Sequence, residues 1–262
     1  TDIEQEKNMK VITLIQTKGG SGKTTLAMTI ASAALAKEQK VQMFDGDVNK
    51  QLLSWQPAYM DADWGHVEKP DWPERVQIDE PPENVEALYE RLEQLEENGT
   101  DLVIFDTRPG SYESTEDYAI AADMVLIPAR PAQAEWRLVL SAFEWMAELQ
   151  ATLAENERFP QVRSVIANVP TKIIQAAAGV GKSGSLPKRD KEVLDNILQT
   201  PHLDTMIPNS RILEHLLYHG PLPVAEKAHR QARAGTLMAN NFEDLTQIAV
   251  SLYDEIIEGT QE

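Results

Sequence analysis

The chain has 262 residues, 42% of them hydrophobic and 25% charged, with a net charge of −18 and no cysteine. That composition excludes a disordered polymer, a disulfide-stapled secreted module and any thiolate-held iron–sulfur cluster. It also argues against a surface that grips polyanions everywhere. No apolar run approaches the roughly 20 residues that a membrane-spanning helix needs. The opening TDIEQEKN is polar and acidic rather than signal-like, so a soluble, cytoplasmic protein is expected. The charge is uneven. Residues 61–100 carry 13 Asp/Glu against Lys69, Arg75 and Arg91, whereas 171–235 carry nine Lys/Arg against six Asp/Glu. Any nucleic-acid surface belongs in the second stretch.

Apolar runs alternate with amphipathic segments, the pattern of a parallel sheet covered on both faces. Residues 1–8 read as an extension, and a single domain is expected over 9–262. A strand over 11–15 runs into a glycine-rich turn and an alanine-rich helix over 24–37. A second strand, 41–44, ends in two aspartates. Residues 54–82 are dense in Trp, Pro and Asp without a clear period and read as an acidic surface insertion. Its Trp55, Trp64 and Trp72 either pin the insertion to the body or form a partner-binding patch. Val85, Leu88, Leu92 and Leu95 follow helical spacing, and Gly99 is placed to end that helix. Strands over 102–105 and 124–127 follow, the latter closed by Pro128. Then come a long helix over 133–157, a strand over 162–167 and a flexible loop over 177–185. A helix over 190–199 leads to a strand around 205–207. Phe242, Leu245, Ile248, Leu252 and Ile256 mark a final amphipathic helix. The fold class is therefore α/β: a single doubly wound, mostly parallel sheet flanked by helices.

The sharpest chemical signal is Lys18-Gly19-Gly20-Ser21-Gly22-Lys23-Thr24-Thr25, set between a buried strand and a helix. Glycines there let backbone N–H groups approach phosphate oxygens, and the helix aims its positive end at the same anion. Lys23 is placed to reach β- and γ-phosphates, and the Thr24 hydroxyl to ligate Mg²⁺. Asp101-Leu-Val-Ile-Phe-Asp106 has the form of a buried strand delivering one carboxylate, Asp106, toward that metal. In Phe44-Asp45-Gly46-Asp47, carboxylates at a strand end can hold metal-bound water or orient an attacking water.

The loop departs from GxxxxGK[ST]: Thr17 occupies the first glycine position, and Lys18 precedes the glycine pair. This form resembles the deviant Walker A motif of the ParA/MinD family of P-loop ATPases. AADMVLIP (121–128) and IPNSRILE (207–214) followed by HGPLP (219–223) are similar to further family segments, so the resemblance spans about 9–258. It implies ATP/ADP and Mg²⁺ as cofactors and a face-to-face homodimer on ATP binding, in which Lys18 reaches the partner's nucleotide. It further implies that Asp47 serves hydrolysis, that Asp45 supports the metal shell, and that Asn168 and Pro208 lie beside the adenine. The FDGDVNKQLLSW stretch resembles a narrower branch, the ParA-like ATPases that assist relaxosomes in conjugal and T-DNA transfer. The chain departs from the family with Arg108-Pro109-Gly110 after Asp106, and with Val48 and Asn49 in the switch.

Plasmid or chromosome partition through DNA positioning is the leading expectation, with relaxosome assistance as the alternative. A positioning ATPase acting through a protein partner, such as a DNA-bound adaptor, is a further one. For DNA itself, Lys227, Arg230 and Arg233 fall at three-residue spacing, and Lys188, Arg189 and Lys191 form a second cluster. Nucleoid association would follow from such contacts. Attachment to a membrane through the last helix is not expected, because 242–262 has six Asp/Glu and no Lys or Arg. A ligase-like enzyme of the same superfamily would need a second substrate constellation, and the sequence offers none.

Overall fold

The computed structural model describes residues 9–110, 113–154, 157–177, 188–232 and 236–261. The extension 1–8, most of the loop 177–185, and Arg233 lie outside the described residues. In chain order the elements are β1 (Lys10–Leu14), α1 (Lys23–Ala36), β2 (Val41–Asp45), α2 (Trp55–Asp61), β3 (Val76–Asp79), α3 (Val85–Glu97), β4 (Leu102–Asp106) and α4 (Glu113–Ile120). They continue with β5 (Met124–Ala129), α5 (Gln133–Thr152), β6 (Gln161–Ile166), α6 (Thr171–Ala177), α7 (Lys188–Ile197), α8 (Arg211–Glu214), α9 (Leu216–His219), α10 (Leu222–Gln231) and α11 (Thr236–Gly259).

The six strands form one sheet in the order β3-β2-β4-β1-β5-β6, with every pairing parallel. Alternate residues of the central strands feed two separate cores. Ile12, Leu14, Met43, Ile104 and Leu126 face α1, α10 and α11, whereas Val11, Phe44, Phe105, Val125 and Ile127 face α3, α4, α5 and α7. This two-sided burial is why these strands read as continuous apolar runs. β1 sits in the middle, between β4 and β5, so the strand order reverses at its carboxyl end. Open α/β sheets bind ligands at such a crevice.

α1 is held on nearly all sides, with every residue from Leu26 to Ala34 buried. Its run of alanines removes side-chain bulk, so α10 and α11 pack closely against it. α3 shows the opposite pattern: Leu88, Leu92 and Leu95 form one buried stripe, Asn84 caps Ala87 N–H at 2.9 Å, and Gly99 (φ 72°) terminates it.

Three expectations are corrected. The stretch 54–82 is not simply a surface insertion: it contributes α2 and the edge strand β3, and Trp55 and Tyr59 are fully buried. β5 does not stop at Pro128 but runs through it to Ala129. β1 pairs with β5 only as far as Leu126, with Ile15 N–H adding a last bond to Leu126 O, so Pro128 lacks an N–H where no ladder partner remains. Around 205–207 there is no strand. That segment touches the sheet through isolated bridges, Ser164 to His202 and Val169 to Pro208, and prolines at 201 and 208 interrupt any ladder.

Candidate nucleotide site

The loop from β1 to α1 crosses the carboxyl edge of the sheet. Gln16 is buried and braces the loop: its amide donates to Pro128 O at 3.1 Å, and its side-chain oxygen accepts from Thr17 N–H at 2.8 Å. Gly20 (φ 77°) and Gly22 (φ 94°) take left-handed conformations that other residues resist. Gly22 is the N-cap of α1 and offers no side-chain acceptor. The first N–H groups of that helix are thereby left for an external anion.

Residues 19–25 of this loop, with Asp47, Asn49, Gln51, Pro109 and Arg130, enclose a chamber of about 240 Å³. A second chamber of about 200 Å³ adjoins it. Leu26, Thr29, Ala167, Asn168, Ile207, Pro208, Ser210, Leu213 and Glu214 line it, and Ser21, Gly22, Thr25 and Arg130 line both. The structure thus brings Asn168 and Pro208 together with the phosphate loop. Val169 N–H donates to Ile207 O at 3.0 Å and Asn209 N–H to Val169 O at 2.8 Å, fastening the two segments that carry them. Asn168 itself is left-handed (φ 58°), at the turn where the chain leaves β6.

Lys23 is buried, and desolvation holds its ammonium below the ordinary lysine value, opposed by Asp106 and Asp47. Asp106 ends β4 beside Asp45 of β2. Burial pushes its carboxyl up to about 7, against the Thr24 hydrogen bond and the charge of Lys23. Thr24 Oγ1 donates to Asp106 Oδ2 at 2.6 Å, and Asp106 Oδ1 is buried without a hydrogen-bond partner. A hydroxyl, a carboxylate with a spare oxygen and an adjoining phosphate chamber suit Mg²⁺, which is usually bound through few protein ligands plus phosphate and water. Among the described residues no cluster of three or more His, Cys, Asp or Glu is placed to hold a metal ion.

The two switch aspartates differ. Asp45 is fully buried and uses both oxygens on the backbone, accepting from Asp47 N–H at 3.0 Å and Leu53 N–H at 2.9 Å. It shapes the loop. Asp47 faces the phosphate chamber, where its Oδ1 accepts from both the backbone and side-chain amide of Asn49 at 2.9 Å. Lys18 differs from the buried Lys23 in exposure. Its side chain is 59% exposed, with Nζ 4.0 Å from Glu135 Oε1.

The described residues of the two basic clusters are exposed but differ in how they are paired. α10 carries Lys227 and Arg230 and ends at Gln231. Arg230 is held by Glu226 at 3.2 Å and Glu243 at 2.9 Å. Lys188, Arg189 and Lys191 open α7, with Lys188 Nζ 3.9 Å from Glu192. The tryptophans are structural: Trp55 is in the core, and Trp64 and Trp72 pack against it partly buried. Sequence reading missed Arg130, Gln51, Ser210 and Glu214. Arg130 carried one usable signal, its position directly after a strand at the sheet's carboxyl edge.

The all-parallel sheet, its glycine loop at the switch point and the paired chambers define a P-loop protein of the ParA/MinD type. A family model described as VirC1 protein matches residues 9–259, and the chain belongs to that family. It is 29% identical over 196 residues to protein virC1 of Rhizobium radiobacter, covering 74% of this chain and 75% of that one. It is 24% identical over 194 residues to protein ParA of the same organism, covering 71% and 77%. The structure of an ATP complex of Cyanothece McdA shares the fold, with a TM-score of 0.65 and 17% identity over 95% of this chain and 96% of that one.

Proposed function

We propose that the chain is an ATP-dependent dimerisation switch that positions DNA. The carrying observation is the opposed placement of two lysines in one loop: Lys23 is buried in the phosphate chamber, whereas Lys18 stands outside it. A lysine serving its own nucleotide must enter the chamber. One serving a partner's nucleotide must stay clear of it. Membership of a family related to ParA proteins and the ATP complex of a fold neighbour support ATP as the ligand.

In this reading the base lies by Asn168 and Pro208, and the phosphates lie on residues 19–25. Lys23 neutralises the β- and γ-oxygens. Thr24 and Asp106 would hold Mg²⁺, which would further neutralise phosphate charge. Asp47 orients a water in line with the bond between the γ-phosphorus and the β-bridging oxygen. Attack breaks that bond and leaves ADP and phosphate. Loss of the γ-phosphate removes the anchor for the partner's Lys18, and the dimer parts.

DNA contact falls to Lys188, Arg189, Lys191 and Lys227, with Arg230 already engaged by two glutamates. Doubling this surface in a dimer raises affinity through avidity. Relaxosome assistance is the preferred use over segregation, because the match is to the VirC1 family across 9–259. The test is binding to non-specific duplex DNA with ATP, ADP or no nucleotide, for wild type and Lys18→Ala. Binding only with ATP, lost in the variant, is expected. Binding indifferent to nucleotide would sink the switch.

A further inference from the structure

Arg130 is the first residue after β5 and stands where the two chambers meet. Four residues line both chambers, namely Ser21, Gly22, Thr25 and Arg130, and Arg130 alone among them carries a charge. Its guanidinium lies against the backbone of the phosphate loop: a Cβ placed on Gly22 would sit 3.6 Å from Arg130 Nη2. Its Nε is buried and makes no hydrogen bond. Among the described residues no carboxylate forms an ion pair with it, although Asp47 and Glu214 line the adjoining walls. In a chain with 42 Asp/Glu against 24 Lys/Arg, an enclosed guanidinium without a protein anion is chemically incomplete.

We infer that Arg130 is a nucleotide-binding residue that clamps the α-phosphate, the group common to ATP and ADP. This rests on the nucleotide reading above. A nucleotide with its base by Asn168 and Pro208 and its terminal phosphates by Lys23 must pass its α-phosphate through the junction, beside Arg130. The guanidinium presents several N–H donors in a plane, which suits two oxygens of one phosphate. Gly22 is the complementary feature: its left-handed backbone (φ 94°) favours glycine, and the loop there lies in van der Waals contact with the guanidinium. Lys23 senses the length of the phosphate chain; Arg130 holds the part that does not change on hydrolysis. Arg130 therefore sets affinity for the nucleotide without setting the preference between its two states.

The experiment is titration of ATP and ADP, each with Mg²⁺, into wild type, Arg130→Gln and Arg130→Lys, followed by fluorescence of a labelled nucleotide or by calorimetry. In Arg130→Gln both affinities should fall by about 10- to 100-fold and by the same factor, so their ratio is kept. Without nucleotide, the Gln variant should melt no lower than wild type, because no hydrogen bond or ion pair to a described residue is lost. Should it fail to fold, Arg130→Lys, which keeps the charge but not the planar fork, should show a smaller loss that is again equal for both nucleotides. Unchanged affinities in either folded variant, or a loss confined to ATP, would overturn the assignment while leaving the site reading intact. Wild-type protein that binds neither nucleotide would overturn the site reading, and the role of Arg130 with it.

Discussion

Trp55, Trp64 and Trp72 donate their indole N–H groups to the carbonyls of Leu216, Tyr218 and Val76 at 2.9, 3.1 and 2.9 Å. Tyr59 donates its hydroxyl to Pro70 O at 2.6 Å, and the Lys69 ammonium gathers the carbonyls of Tyr59, Met60 and Ala62 at the end of α2. The nucleotide cleft treats its polar atoms in the opposite way. Ser21 Oγ, Asp106 Oδ1 and Arg130 Nε are all buried there without hydrogen-bond partners. Leaving such groups unpaired costs about 1–3 kcal/mol each, more for charges. One region is therefore finished without any ligand, and the other is a set of debts that a bound anion and cation settle together. Aromatic residues in an irregular acidic stretch look like a docking patch in sequence; complete hydrogen bonding identifies them as architecture.

The largest break in this comparison comes from the aromatic side. Trp55→Ala should lower unfolding stability by about 3–5 kcal/mol, because it empties a fully buried site and removes the indole N–H that Leu216 O accepts alongside Gly220 N–H. Denaturant melts read this directly, and nucleotide affinity of the folded fraction should be unchanged. If affinity falls in parallel, the two regions are coupled and the contrast fails.

The cleft should respond with the reverse sign. With its carboxyl raised by burial to about 7, Asp106 stays protonated in the folded state after the unfolded chain has ionised. The folded state then holds more protons, so the group's contribution becomes less favourable as pH rises from the ordinary carboxylate range to about 7. Asp106→Asn should accordingly raise apo stability at about pH 8 by roughly 1–3 kcal/mol and have little effect at about pH 3, where both states are largely protonated. The same variant should weaken Mg²⁺-dependent nucleotide binding. A destabilised apo protein at the higher pH would show that the carboxylate is structural after all.

The smallest effect sharpens the aromatic side. His229 stacks between Trp64 and Phe242 at 5.7 and 5.3 Å, and the ring of His219 meets the same Phe242 at 5.3 Å. Burial lowers the basicity of both histidines, and His229 and His215 lower that of His219 further. Their folded pKa values lie below the unfolded ones, so the stability involved is present above about pH 6.5 and is lost on acidification. Thermal melts between about pH 7.5 and about pH 5.5, with His219→Gln as the control, should show a loss of about 1 kcal/mol or less, diminished in the variant.

The phosphate loop was legible because its chemistry lies in the backbone and so dictates glycines at fixed positions. α3 was legible because its stripe, Asn84 and Gly99 are all local. β3 was not, because four residues with one buried side chain carry no usable period, and the strand exists through its pairing with β2. The burial of Trp55 depends on α9, more than 150 positions on, and Arg230 is neutralised by Glu243 from another helix. The hydrogen bonds that Asp45 accepts from Asp47 and Leu53 N–H were not legible either, because they depend on the path of the turn after β2. Arg130 belongs to no motif. Its meaning arises only where loops from residues 16–25, 130, 168 and 208 converge.

The central place of β1 has a consequence for how the molecule is made. Lys10 pairs with Leu102 and Ile12 with Met124, so the first strand synthesised waits for partners that emerge far later. α1 receives its last cover only with α11. Parallel pairings of this separation fold slowly and leave apolar edges exposed in the interval. A ribosome-bound fragment ending before residue 207 would carry the glycine loop complete in sequence and still lack a wall for the base. The cleft at the carboxyl edge of the sheet is thus among the last features the nascent chain completes.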